Sequence, residues 1–227
     1  MASPKWTCNA VSSVPSETWD EYAVRYAGLL ASITDGLGGQ IAWFSDRVLR
    51  DGTQVDVDDV DAFSRMLVDS QLRNSRDGIM AGGGSHPVVF GERMVPRGSS
   101  WVVLRATFGS DERPALAHLE VVEPPGYSLW SYPDESLADL VGRIMASIDA
   151  HEARILDGEV LRLLAKAKAT IVGTHNFIPG PLDATRFPPG ARQGPCGSGY
   201  LLIVPPGPTP EDTLERMRWV AAATGQG

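Results

Sequence analysis

Ser100-Trp101-Val102-Val103-Leu104-Arg105-Ala106-Thr107-Phe108 is the stretch on which the fold turns. Trp101, Val103, Arg105 and Thr107 alternate with Val102, Leu104, Ala106 and Phe108, so the two sets point to opposite sides of an extended chain. The second set is wholly apolar and the first is mixed. One side is therefore covered, which is the pattern of an antiparallel strand with a single buried face. Pro96-Arg97-Gly98 before it and Ser110-Asp111-Glu112-Arg113-Pro114 after it read as hairpin connections. They place residues 87–94 and 115–122 as its neighbours.

Toward the N-terminus, residues 6–14 are β-compatible and Pro15 ends them. Ser16-Glu17-Thr18-Trp19 then opens a helix. Trp19, Tyr22, Tyr26, Leu29, Leu30 and Ile33 recur on it at three- and four-residue steps. Asp35-Gly36 closes that helix, and a short strand follows around Ile41-Ala42-Trp43-Phe44. Asp51-Gly52 is a turn signal. Asp56 or Asp58 next caps a helix with Val60, Phe63, Met66 and Leu67 on one side. Residues 73–85, with Gly82-Gly83-Gly84, read as a mobile loop.

Toward the C-terminus, Glu123-Pro124-Pro125-Gly126 stops the third strand of the set and marks a boundary between halves. Past Pro133, Asp134 caps a helix striped with Leu137, Leu140, Val141, Ile144, Met145 and Ile148. Asp157 caps a shorter one containing Val160, Leu161, Leu163 and Leu164. Residues 170–178 are a strand candidate, and 179–195 an irregular Pro/Gly loop. Residues 200–204 form a short apolar strand. Thr209-Pro210-Glu211-Asp212 combines an N-cap, a proline at the first helical position and first-turn acids, so it opens a last helix. Leu214, Met217, Val220 and Ala221 supply its buried side. The expected fold is α+β: a mainly antiparallel sheet with helices packed on it. It is one domain over residues 1–227, with halves 1–125 and 126–227 sharing a core.

The 227 residues are 43% hydrophobic and 21% charged, enough for a core without metal or disulfide. No run approaches the ~20 apolar residues that cross a bilayer. The first residues do not read as a signal peptide, so the cytoplasm is the expected compartment. Cys8 and Cys196 are expected as reduced, buried thiols, although their pairing is open from sequence. They give no zinc spacing. Net charge is −8. Residues 1–125 hold 17 acids and 11 Lys/Arg, and the remainder 11 and 9. Such a chain repels nucleic-acid phosphates and suits a basic protein partner.

Groups that could carry chemistry are sparse. His86, His118, His151 and His175 form no paired-histidine metal motif. His118 and Glu120 share a strand face, which makes a weak metal pair or a surface cross-strand pair. His175-Asn176 lies at a strand end, where a structural histidine is the plainer reading. Gly82-Gly83-Gly84-Ser85-His86 lacks the features of an oxyanion or phosphate loop. Cys196, in Gly194-Pro195-Cys196-Gly197-Ser198-Gly199, has no assignable activating histidine. No catalytic set, metal site or cofactor is expected. Asp51, Asp56, Asp58, Asp59 and Asp61 fall within eleven residues free of Lys and Arg. Their spacing is unlike a calcium loop. They form either a solvated helix entry or a binding surface for a basic partner, and are the candidate partner-binding residues.

The order of these parts resembles bacterial polymorphic-toxin immunity proteins, specifically immunity protein family 52. The carriers are Trp19-Asp20-Glu21-Tyr22 through Arg25, then Trp43, the acidic helix from Asp58 to Leu67, and Arg73-Asn74-Ser75-Arg76-Asp77. Trp101 with Leu104-Arg105 follows. Val172-Gly173, Pro188-Pro189, Gly197-Ser198-Gly199-Tyr200-Leu201 and the helix from Thr209 complete the order. Thr174 stands where the family has an aromatic, and His151-Glu152-Ala153-Arg154 replaces a tryptophan-rich entry. The resemblance implies a cytoplasmic antidote that binds and blocks a cognate protein toxin, often a nuclease. The alternatives are a small hydrolase using His175 or Cys196, and a ligand-binding module near the 179–195 loop.

Overall fold

The alternation around Val103 is realised in a hairpin pair. A computed structural model of the chain describes residues 4–13, 19–38, 41–45, 59, 61, 88–96, 98–107 and 115–225. In it β1 is Lys5–Ser12, β2 Ile41–Ser45, β3 Val88–Val95, β4 Gly98–Thr107 and β5 Ala115–Val122. β6 is Ala150–Asp157, β7 His175–Ile178, β8 Arg192–Cys196 and β9 Gly199–Ile203. They join in one sheet in the order β2-β3-β4-β5-β1-β6-β7-β9-β8. Each neighbouring pair is antiparallel. The helices are α1 (Trp19–Gly36), α2 (Asp134–Ile148), α3 (Gly158–Lys166) and α4 (Pro210–Ala223). The fold is thus α+β with a mainly antiparallel sheet, as the alternation predicts.

β1 lies between β5 and β6, so the sheet runs without a break past Glu123-Pro124-Pro125-Gly126. The side chains of β1, β4 and β5 that face inward include Trp6, Cys8, Val102, Leu104, Leu119 and Val121. They meet Tyr26, Leu29, Leu30 and Ile33 of α1, and Leu137, Leu140, Val141 and Ile144 of α2. β9 shows how two cores share one sheet. Leu201 and Ile203 join this first core, whereas Leu202 points the other way, into a second one with Ile178. There α3 contributes Val160 and Leu164, and α4 contributes Met217 and Val220. Among the described residues, no helix is long and apolar enough to cross a membrane.

Two helix starts follow the sequence closely. Asp157 accepts from the backbone N–H of Glu159 (2.8 Å) and of Val160 (3.2 Å). Thr209 and Asp212 form a reciprocal capping box, with Asp212 N to Thr209 Oγ1 at 3.1 Å and Thr209 N to Asp212 Oδ2 at 3.2 Å. Other expectations are corrected. Pro133, not Asp134, is the N-cap of α2, and the Asp134 side chain turns instead to Arg192. α1 ends at Gly36 as expected, but the residue of positive φ is not Gly36: it is Gly38, at φ +68°. Gly36 is helical, and it lets α2 approach closely: a Cβ on it would stand 2.9 Å from the Leu140 Cα. Of residues 170–178 only His175–Ile178 is strand. The 179–195 loop contains a 3-10 turn, Ala184–Arg186, and most of β8. β6 has no counterpart in the sequence reading.

Several expectations lie outside the described residues. These are the Asp51-Gly52 turn, the helix carrying Val60, Phe63, Met66 and Leu67, the 73–85 loop with His86, and the connection at 110–114.

Candidate functional site

The first polar constellation comes from residues far apart in sequence. Glu123, at the end of β5, is 1% exposed. Register sets it beside Ser100 and Arg93 on the inward side, since Trp6, Val121 and Val102 mark the adjacent row. The Trp6 indole N–H donates to Glu123 Oε1 at 3.1 Å, and the Tyr132 hydroxyl donates to the same oxygen at 2.5 Å. The Ser100 hydroxyl donates to Oε2. Arg93 Nη1 donates to the Tyr132 oxygen at 2.7 Å, with its guanidinium 5.3 Å from the ring centre. Burial and the Glu123 contact push the Tyr132 phenol well above its ordinary range, with Arg93 opposing. This carboxylate takes three donors and is closed to solvent. Its chemistry is to tie β1, β3, β4 and the segment before α2 together.

His175 is also shut in, at 0% exposure. Trp130 lies against it with ring centres 5.2 Å apart. Nδ1 meets Thr174 Oγ1 at 3.1 Å, and Nε2 has no hydrogen-bond partner among the described residues. Burial holds its pKa down to about 3, against an upward pull from Asp134 and a further downward one from Arg192. The imidazole is therefore neutral near pH 7. Arg192 grips Asp134 through Nε and through Nη2, the latter at 2.7 Å, and this contact lowers the Asp134 carboxyl. Cys196 is buried with Sγ 3.3 Å from the Ala138 carbonyl, and burial pushes the thiol up to about 11. Burial likewise pushes Cys8 up to about 12, with Cys196 adding to it. Both cysteines are free. A protonated, buried thiol is a poor nucleophile.

His118 and Glu120 do share one face of β5, as alternation predicts, but each has other company. His118 Nδ1 donates to Asn9 Oδ1 at 2.6 Å. Glu120 pairs with Lys5 at 2.6 Å and Arg105 at 3.9 Å. Among the described residues, no group of three His, Cys, Asp or Glu could hold a metal ion. Of the acidic segment, Asp59 and Asp61 are exposed, and Asp51, Asp56 and Asp58 lie outside the described residues.

The outward side of β3 and β4 is different in kind. α3 and α4 build the second core over β7 and β9 and leave two large apolar side chains of this part of the sheet in solvent: Trp101 at 42% and Met94 at 75%. Register brings them together. Trp101 stands directly across from Glu92 on β3 and from Val122 on β5, and Met94 follows Glu92 on the same side two residues along. Glu92 is half-buried and, among the described residues, makes no ion pair. Sequence reading had Trp101 on the mixed face but could not see its partner, because the β3–β4 register was not fixed by local signals.

No protein-family model matches the chain, and no curated protein matches it in sequence.

Proposed function

We propose that this chain is a binding protein of the immunity type: a cytoplasmic antidote that neutralises a cognate bacterial toxin by direct contact. The observation that carries this reading is the uncovered Trp101 and Met94 on the outward sheet face. Large exposed apolar side chains beside polar ones mark protein-contact surfaces, where aromatic residues and methionine are enriched. The charge of −8 supports a basic partner such as a nuclease with a cationic cleft. The order of motifs that resembles immunity protein family 52 supports it too. Asp51, Asp56, Asp58, Asp59 and Asp61 belong to this proposal as a steering surface, and the exposure of Asp59 and Asp61 agrees with that role. Against the hydrolase alternative stand the burial of His175 and Cys196, which keeps both from a substrate.

The test is co-expression with the protein encoded beside this chain. That neighbour alone should arrest growth, and this chain should restore it and co-purify with the neighbour. Cys196→Ala should protect within about threefold of wild type. A harmless neighbour, or rescue without a complex, overturns the reading.

A further inference from the structure

The outward side of β3 and β4 brings aromatic, apolar and anionic groups together with no partner among the described residues. Its other charges are engaged. Lys5 and Arg105 share Glu120, and His118 is held by Asn9. Glu92 is the exception. Its carboxylate sits across the strand pair from the Trp101 ring, with the Met94 side chain alongside. The Trp101 indole N–H makes no hydrogen bond among the described residues, and at 42% exposure part of the residue is open to whatever docks. A cation laid over an indole is attracted by the ring quadrupole. A carboxylate within reach of the same cation adds an ion pair, bidentate if the cation is a guanidinium. Met94, unbranched and polarizable, can shape itself to an aliphatic stem. Three neighbouring side chains thus match the three parts of one long cationic side chain: stem, head and counter-charge.

We propose that the Trp101–Met94–Glu92 patch is the docking point for a protein partner and receives an arginine side chain of that partner, stacked on the indole and paired with Glu92. This rests on the protein-binding reading above and deepens it. The chain's net charge of −8 draws a cationic partner in, and this patch fixes where one of its cations lands. Steering by the acidic segment and anchoring at the patch are separate effects. The first acts on association, whereas a buried aromatic anchor acts mainly on dissociation.

The experiment is calorimetric titration of the purified chain with the protein encoded beside it, at two salt concentrations. Trp101→Ala should weaken the complex by about tenfold or more. Glu92→Gln, nearly isosteric, should weaken it roughly three- to tenfold and flatten its salt dependence. Ile171→Ala, which truncates an exposed apolar side chain elsewhere, should change affinity by less than about twofold. Melting curves check that Trp101→Ala remains folded; Glu92→Gln decides the matter if it does not. Wild-type binding with both patch variants within about twofold overturns the patch and leaves the protein-binding reading standing. No wild-type binding at all overturns that reading, and the patch with it.

Discussion

Glu123→Ala is expected to lower the free energy of unfolding by about 3–5 kcal/mol, a large part of the roughly 5–15 kcal/mol that holds a domain folded. The substitution removes the acceptor of three donors at once: the Trp6 indole N–H, the Ser100 hydroxyl and the Tyr132 hydroxyl. The Trp6 and Ser100 donors are then buried polar groups with nothing to bond, whereas the half-buried Tyr132 hydroxyl keeps only its contact with Arg93. Arg93, itself buried, loses the carboxylate at the far end of its contact through Tyr132. Glu123→Gln keeps an acceptor oxygen but not the charge, so it should cost less, about 1–3 kcal/mol. Urea denaturation read by tryptophan fluorescence gives both values. A loss below about 1 kcal/mol for Glu123→Ala would show that water enters the site and replaces the carboxylate.

Acid should weaken the fold through His175 well before carboxylates protonate. Its folded pKa is about 3, against 6.5 for the free side chain. The folded pKa is depressed, so between these values the unfolded chain takes up a proton that the folded chain refuses. Stability from this group is complete above about pH 6.5 and falls as pH drops toward 3, by up to about 1 kcal/mol per pH unit. His175→Phe retains a ring against Trp130 and does not titrate. Urea midpoints at about pH 7 and about pH 4.5 should therefore differ less for the variant than for wild type. His118 contributes in the same direction, since burial first and Arg105 second lower its pKa. It is only partly buried, and solvent screening reduces its share. Arg192 holds Asp134 below the usual carboxylate range, so that group acts only at lower pH. Equal pH slopes for wild type and His175→Phe would mean that the imidazole is protonated in the fold.

What was readable in the sequence, and what was not, follows the range of the interactions. Residues 100–108 announce β4 because alternation is a property of one segment, and Thr209 announces α4 because a capping box spans four residues. β6 was invisible. Its Ala150-His151-Glu152-Ala153-Arg154 start is polar and short of β-branched residues, and the turn before it uses Asp149 at φ 51°, where no glycine flags the reversal. β8 was hidden by Gly194 and Pro195, which only an edge strand tolerates, and β8 is the last strand of the sheet. Glu123 looked like the end of a strand before two prolines. Its meaning lies in Trp6, 117 positions away, and in Ser100, 23 away. The pairing of Glu92 with Trp101 likewise exists only once the β3–β4 register is set. The histidines and cysteines were visible as residues, but burial decides what they can do, and burial belongs to the assembled sheet.

The most direct test of the central claim, that this protein works by occupying a partner and not by turnover, is a stoichiometric one. The purified protein encoded beside this chain is assayed for its own activity while this chain is added in increasing molar ratio. Inhibition should rise linearly and be complete near a one-to-one ratio, with a complex that survives gel filtration. Complete inactivation by a small fraction of an equivalent would show catalysis and contradict the proposal, as would full activity of the neighbour in the presence of excess chain.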